Sequence, residues 1–196
     1  MTYGVNAPNG LQPLQSVVGG TWNEQTTQFI ITAGYATSLF QGDPVAAQAD
    51  CSIGIGTAGN TIRGVFWGCQ YYDVNNNLVN SPYWPASTAT YNSLPAIAFI
   101  IDDPWVKFNI QANATPGVVL ADLNQNANFV AGAGSTITGA SGYSLNVASI
   151  NTTATLNLKI LSFTPYPGNF AAAGYNNVVC LINNHEYKGG TGTLGV

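Results

Sequence analysis

Apolar and polar residues alternate along several short segments of this chain, which is the pattern of half-buried β-strands. The clearest example lies in residues 105–112, where Val106, Phe108 and Ile110 alternate with polar side chains. No segment keeps an apolar period of 3.6 residues over three helical turns, so the sequence predicts strands rather than helices. The predicted strands cover residues 27–32, 65–72, 96–101, 105–112, 144–148, 155–160 and 177–182.

Short strands separated by turn residues favour a mainly β fold, built as an antiparallel sandwich or a barrel-like domain. We expect a single β-rich domain over residues 21–196, preceded by an extended N-terminal arm over residues 1–20. The arm carries prolines, glycines and spaced apolar side chains. It is therefore predicted either to lie against a neighbouring molecule or to cover its own domain. Residues 121–142 are predicted to form a long loop or a weak edge strand, with a short helix over residues 121–127 as the alternative.

Charged residues are unusually scarce, at 6% of the 196 residues, whereas an ordinary soluble domain has about 25%. The surface must therefore be solvated by neutral polar side chains, which suits lasting contacts better than catalysis. The cations are Arg63, Lys107, Lys159 and Lys188, and nothing in their spacing suggests that they cluster. Because nucleic-acid binding depends on clustered Lys and Arg, we expect no direct nucleic-acid partner.

Membrane and metal partners are also not expected. No apolar run approaches the ~20 residues that a membrane-spanning helix needs. The cysteines, Cys51, Cys69 and Cys180, are odd in number and include no C-x-x-C spacing. They are predicted to be buried or partly buried free thiols in a protein made in a reducing cytoplasm, with no structural metal site.

Three motifs match catalytic or cofactor patterns only in part. Residues 54–59 spell G-x-G-x-x-G, but a strand-like segment follows instead of a helix, so the motif is predicted to be a turn. Asp102 and Asp103 precede a proline and are predicted to open a turn. His185, the single histidine, lies beside Glu186 and is predicted to be a hydrogen-bonded loop residue. We expect no catalytic, cofactor-binding or metal-ligating residues and no enzymatic activity; a hydrolase that uses His185 is the alternative.

Apolar residues of the arm and aromatic residues farther along are the candidates for binding. Neighbouring residues of a regular strand face opposite ways, so Phe66 and Trp67 cannot both point into one core. Exposed aromatic rings stack on sugars or anchor protein interfaces, whereas buried rings only build the core. The candidate interface residues are Leu11, Leu14, Val17, Val18, Trp67, Tyr83 and Trp84.

Five short segments follow one another along most of the chain. They are SLFQGDPV (residues 38–45), GVFWGC (64–69), SPYWPA (81–86), DDP (102–104) and INNH (182–185). Their succession resembles the capsid decoration (cement) proteins of tailed bacteriophages, especially phages of cyanobacteria and other aquatic hosts.

The resemblance implies a β-rich viral structural protein that binds the outer surface of an icosahedral capsid and staples neighbouring capsomers against internal DNA pressure. The implied partners are the major capsid protein and further copies of the same chain, as a dimer or trimer. The implied location is the outer capsid surface of the virion, after synthesis in the bacterial host cytoplasm. The family supplies no catalytic residues. The alternative function is a carbohydrate-binding β module for adhesion to a host surface, which would use exposed Trp and Tyr.

Overall fold

The fold is built from short β-strands in the computed structural model, which describes residues 4–189 and 192–195. Residues 1–3 of the predicted arm and residues 190, 191 and 196 of the predicted domain lie outside the described residues. The strands are β1 (Gln12–Ser16), β2 (Thr27–Ile31), β3 (Leu39–Phe40), β4 (Pro44–Ala47), β5 (Ile53–Ile55), β6 (Gly64–Tyr72), β7 (Leu78–Ser81), β8 (Tyr83–Trp84), β9 (Ala96–Ile101), β10 (Val106–Gln111), β11 (Asn126–Ala127), β12 (Phe129–Val130), β13 (Ser144–Leu145), β14 (Leu158–Phe163) and β15 (Asn177–Ile182). Single 3₁₀ turns form at Tyr91–Ser93, Leu120–Asp122, Val147–Ser149 and Glu186–Lys188.

Two antiparallel sheets dominate the architecture. The five-stranded sheet has the order β1-β10-β15-β14-β11. The six-stranded sheet has the order β2-β9-β6-β4-β5. Its sixth strand, β7, pairs with the C-terminal half of β6, whereas β4 pairs with the N-terminal end of β6. In the strand pairing of the described residues, neither sheet closes on itself. Of the two predicted architectures, the sandwich therefore fits and the closed barrel does not. The mainly β prediction is confirmed. Among the described residues, no helix has the length and apolar character needed to cross a membrane.

A first core fills the space between the two large sheets. Phe108 and Ile110 of β10 point into it, as their alternation predicts, and both side chains are fully buried. They meet Val65 and Ile101, which face each other across β6 and β9 of the six-stranded sheet. Burial of each such side chain contributes about 1.5–3 kcal/mol, so this core supplies much of the stability of the fold.

A second core lies on the opposite face of the six-stranded sheet, beneath the small β3–β8 ribbon. Phe66 and Ile100 face each other across β6 and β9 and point into it. Trp84 of the ribbon is fully buried there; its indole N–H donates to the Tyr35 carbonyl at 3.2 Å. The edge of the Tyr71 ring lies against Trp84, with the ring centres 5.3 Å apart. Trp84 is therefore a core residue, which corrects its assignment as an interface candidate.

Strand β6 lies between the two cores, and each of its faces contributes side chains to one of them. The β6–β9 register shifts between Phe66 and Gly68, which marks a β-bulge at Trp67. Phe66 joins the second core, whereas Trp67 packs on the first core with its ring 4.9 Å from Trp22 in a T-shaped arrangement. The expected opposition of Phe66 and Trp67 is confirmed, but both directions lead into protein.

Residues 4–20 lie against their own domain. Strand β1 is the edge strand of the five-stranded sheet and pairs with β10. Upstream of β1, the Gln111 side chain donates to the Val5 carbonyl at 3.0 Å and accepts from the Ala7 N–H at 2.8 Å. Leu11 is fully buried in the first core. Leu11 is thus a core residue too, which corrects its assignment as an interface candidate.

Several predicted boundaries are wrong, and side-chain hydrogen bonds explain the largest shift. Strand β14 starts at Leu158 instead of residue 155, because the buried Asn157 side chain accepts from the Gly59 N–H and donates to the Asn60 carbonyl, both at 2.6 Å. These bonds attach residue 157 to the turn over residues 57–60, so the chain joins the β-sheet only from the next residue onward. Strand β13 holds only Ser144–Leu145, and the alternative helix over residues 121–127 is replaced by a 3₁₀ turn followed by β11.

The three cysteines are free thiols, as predicted. Cys180 lies in the first core and Cys69 in the second, where burial raises the pKa of the Cys69 thiol to about 12. Cys51 is exposed, contrary to the prediction, because it occupies a left-handed position (φ 65°) in the turn between β4 and β5.

Replacing Trp84 by alanine is expected to lower the free energy of unfolding by about 3–5 kcal/mol, because the variant leaves a cavity in the second core. The matched control is Trp105→Ala, since the Trp105 side chain is 52% exposed and its loss should cost well under half as much. Urea unfolding of both variants measures the two losses. Equal losses would contradict the burial of Trp84.

Asp43 links stability to pH in the opposite sense from an ordinary carboxylate. Burial raises the pKa of Asp43 to about 6, while the nearby Ser141 hydroxyl and the Phe40 N–H, which donates to the carboxylate at 2.8 Å, act against the shift. Because the folded chain holds this proton more tightly than the unfolded chain, the contribution of Asp43 falls as the pH rises from 3.8 to about 6.

Asp43→Asn, which keeps an acceptor but cannot ionise, should therefore be more stable than the wild type at pH 7 by on the order of 3 kcal/mol. The advantage should shrink toward pH 4, where the wild-type carboxyl is itself protonated. Urea unfolding at the two pH values measures the difference. An advantage that does not change with pH would refute this assignment.

Candidate interaction surface

One face of the five-stranded sheet points away from the first core. The residues that alternate with the core side chains of β10, β14 and β15 project from it. Strand register places four of them in one row across the sheet, in the order Gln15, Lys107, Leu181, Lys159. Because neighbouring strands lie about 4.8 Å apart, Lys107 and Lys159 flank Leu181 with their backbones about 10 Å from each other. We call this side of the sheet the outer face.

The protein covers one end of the outer face itself. At that end, the Thr164 hydroxyl donates to the Asn109 side chain at 2.6 Å, and the Asn177 amide donates to the Tyr166 hydroxyl at 2.6 Å. Residues 5–7 cross the sheet nearby, held by Gln111. The loop over residues 164–177 and the N-terminal segment thus leave the lysine row at the other end of the sheet accessible.

An apolar tip stands beside the lysine row. The β1 hairpin turns over residues 16–20, and the Val17 N–H donates to the Trp105 carbonyl at 2.8 Å. Val18 is 90% exposed, Val17 42% and Trp105 52%. Exposed apolar side chains of this size next to one another are typical of contact sites. We call Val17, Val18 and Trp105 the apolar tip.

Two cavities open on the outer face. The larger has a volume of about 600 Å³ and lies between β1 and β14, where its lining includes Leu14, Lys107, Leu161, Phe163 and Val179. The smaller has a volume of about 120 Å³ and is lined by Trp105, Lys159, Leu181, Asn183, Lys188 and Thr193. Lys107 of the larger cavity and Leu181 of the smaller one are direct cross-strand partners, so the cavities adjoin. No acidic residue lines either cavity in the described part of the chain.

The outer face carries three of the four cations of a chain whose net charge is −4. Among the described residues, the ion pair within 4.0 Å is that of Arg63 with Glu186, so Lys107, Lys159 and Lys188 have no carboxylate at that distance. Folding thus gathers the three lysines on one face, which their spacing along the sequence did not suggest. Sequence spacing could not show the cluster, because strand register decides which residues of β10, β14 and β15 stand side by side.

The candidate interface residues divide into groups that the structure does not bring together. Leu14 lines the larger cavity, and Val17 and Val18 belong to the apolar tip. Trp67 and Tyr83 are half-buried on other parts of the molecule, where Tyr83 stacks on Phe40 at 5.4 Å. Trp105 and Lys188 complete the surface and were not among the predicted residues. The one sequence signal for Trp105 is its place directly after the Asp-Pro turn, where side chains reach solvent.

His185 belongs to a polar cluster that holds the Glu186–Lys188 turn on the domain. It is fully buried, and its Nδ1 accepts from the Tyr187 N–H at 3.1 Å. The Tyr187 hydroxyl donates to Asp102 at 3.2 Å, and the Arg63 guanidinium lies 4.3 Å from the centre of the Tyr187 ring. The prediction of a hydrogen-bonded loop histidine is confirmed.

The remaining motifs are turns. Residues 54–59 leave β5 and turn back without a helix, and Asp103 accepts from the Trp105 N–H at 2.8 Å, which closes an Asx turn. Both turn predictions are confirmed. In residues 4–189 and 192–195, no three His, Cys, Asp or Glu side chains are grouped so that they could hold a metal ion.

His185 should make the fold sensitive to acid. Burial lowers the pKa of His185 to about 4, and the neighbouring charges act on it in both directions, with Lys188 and Arg63 lowering the pKa and Asp102 and Glu186 raising it. The unfolded chain takes up this proton near pH 6.5. The contribution of neutral His185 is therefore complete above pH 6.5 and is lost as the pH falls toward 4.

His185→Asn keeps an acceptor for the Tyr187 N–H but does not titrate. Between pH 6.5 and 4 the variant should gain on the order of 3 kcal/mol of stability relative to the wild type. Urea unfolding at both pH values measures this change, and comparison with the wild type cancels the opposite effect of Asp43. A difference that stays constant over this range would rule out the buried neutral imidazole.

Comparisons with known proteins identify no relative of this chain. No protein-family model, no curated protein and no solved structure matches the chain. The outer face is therefore interpreted from the residues of this chain alone.

Proposed function

We propose that this chain is a structural protein of a tailed bacteriophage that binds the outer surface of the icosahedral capsid and staples neighbouring capsomers. The observation that supports this most is the outer face, where an exposed apolar tip, a largely apolar cavity and lysines that have no carboxylate within 4.0 Å among the described residues lie on one sheet. A mixture of apolar anchors and polar surroundings is typical of protein–protein contact sites. The succession of motifs supplies the class of partner, the major capsid protein.

The physical demands of a capsid staple agree with the composition of the chain. Many copies on a symmetric shell add up modest single contacts, so one small anchoring surface per copy is enough. Copies that stand side by side must not repel one another, and a chain with 6% charged residues avoids that repulsion. Association of the chain with itself, as a dimer or trimer, is part of this proposal.

The carbohydrate-binding alternative has less support, because two of its candidate tryptophans are buried or half-buried. Trp84 is fully buried and Trp67 packs on Trp22, so neither ring offers an open face to a sugar. Trp105 is exposed, but the Lys188 ammonium lies 4.7 Å from the centre of its ring and occupies one side. No observed arrangement of rings favours a sugar site over a protein contact.

Val18→Asn should weaken binding to capsids by about fivefold or more, since the apolar tip would lose its most exposed anchor. Purified chain is mixed with capsids of its own virus that lack it, and the bound fraction is measured by co-sedimentation. Ile137→Asn is the matched control, because Ile137 is 95% exposed and lies in a loop apart from the outer face.

Two results would contradict the proposal in different ways. Failure of the wild-type chain to bind the capsids, or to raise their melting temperature, would refute the function itself. Equal weakening by Val18→Asn and Ile137→Asn would show that the apolar tip is not the contact.

A further inference from the structure

We propose that Trp105, Lys159 and Lys188 form a binding site for a carboxylate group, and that its occupant is an acidic side chain of the capsid partner. The inference rests on the proposed function and deepens it by naming the chemistry that the outer face recognises. Three properties of the smaller cavity carry it: its fixed ammonium groups, its uncompensated charge and its connection with the apolar cavity.

Both ammonium groups are held in place by backbone carbonyls. The Lys159 Nζ donates to the Leu194 carbonyl and the Lys188 Nζ to the Ile182 carbonyl, each at 2.8 Å. A lysine ammonium has three N–H donors, so each keeps donors for a further acceptor. The cavity between them, at about 120 Å³, has room for a carboxylate but not for a large ligand. The site is thus organised before anything binds, which lowers the entropic cost of binding.

Among the described residues, no carboxylate lies within ion-pair distance of the two ammonium groups of this site. Burial lowers the pKa of Lys188 to about 8, and Asp103 is the acid that acts against the shift. Asp103 does not come within ion-pair distance of Lys188 among the described residues, and the Trp105 ring offers only a cation–π contact at 4.7 Å. A partly buried ammonium without a carboxylate is unfavourable, so an incoming carboxylate would bind to charge that is already desolvated.

The surroundings of the cavity favour a protein as the source of the carboxylate. Leu181 and Lys107 connect the site to the larger cavity, whose lining includes Leu14 and Leu161. A polypeptide with an acidic residue followed by apolar residues would fit here, with the carboxylate in the smaller cavity and the apolar side chains in the larger one. An acidic polysaccharide has no apolar side chains to place in the larger cavity, and the Trp105 ring has Lys188 over one of its faces.

Titration of the full chain with poly-L-glutamate, followed by calorimetry at low salt, tests the site without any capsid. Lys159→Gln and Lys188→Gln should each weaken binding about fivefold or more, whereas Lys107→Gln, which removes the same charge beside the smaller cavity, reports the general charge effect and should weaken binding by a smaller factor. Lys107 is the matched control because it removes the same charge from the same face outside the smaller cavity. Equal weakening by all three variants would show a general charge effect and overturn the site.

A second measurement keeps the test decisive if Lys188→Gln does not fold. Iodide and acrylamide both quench exposed tryptophan fluorescence, and only iodide responds to local positive charge. The ratio of iodide to acrylamide quenching should fall in Lys159→Gln and stay unchanged in Lys107→Gln. No fall would overturn the site. Polygalacturonate binding as tightly as poly-L-glutamate would overturn the assignment to a protein side chain.

The outcomes separate this inference from the proposed function. Wild-type binding to capsids with no loss in the Lys159→Gln, Lys188→Gln double variant would leave the function standing and overturn the carboxylate site. Binding of poly-L-glutamate that depends on Lys159 and Lys188, without binding to capsids, would overturn the function and the capsid as partner, while the carboxylate site would stand.

Discussion

The structure depends on the burial of β6 on both of its faces. A strand in that position has to divide its side chains between two cores. Ordinary strand alternation does this for Phe66 and Trp67, and the register shift after Phe66 then places Cys69 in the second core. Two layers of packing then hold the rest of the molecule. The five-stranded sheet lies against one core and the β3–β8 ribbon closes the other.

That arrangement leaves the outer face as the free side of the sandwich. One face of the five-stranded sheet packs on the first core, and the residues that alternate with those core side chains project outward. The protein covers one end with its N-terminal segment and the 164–177 loop. The other end keeps the lysine row, the apolar tip and both cavities. The position of the candidate interaction surface is thus a consequence of where the chain places its own covering segments.

The sequence predicted the strands well where apolar residues alternate or run together over the length of a strand. Residues 105–112 alternate because β10 has one side in the first core, and β2, β9 and β15 also lie close to their predicted bounds. The predicted strand bounds were wrong where side-chain hydrogen bonds take the place of strand pairing. At Asn157, the side-chain amide bonds to the turn over residues 57–60, so β14 begins later than predicted. Prediction failed also for aromatic residues. Composition cannot distinguish Trp84, which is buried, from Trp105, which is exposed.

The sequence by itself determined the fold class, the scarcity of charge and the turn character of residues 54–59 and of the Asp102-Asp103 pair. These properties depend on composition and on the local order of residues. Tertiary contacts with distant parts of the chain do not change them. The tertiary structure alone decided that Leu11 and Trp84 are core residues and that Lys107 and Lys159 stand in one row, with Lys188 on the same face. Burial and clustering depend on which strands pair and in what register, and that pairing joins residues far apart in the chain.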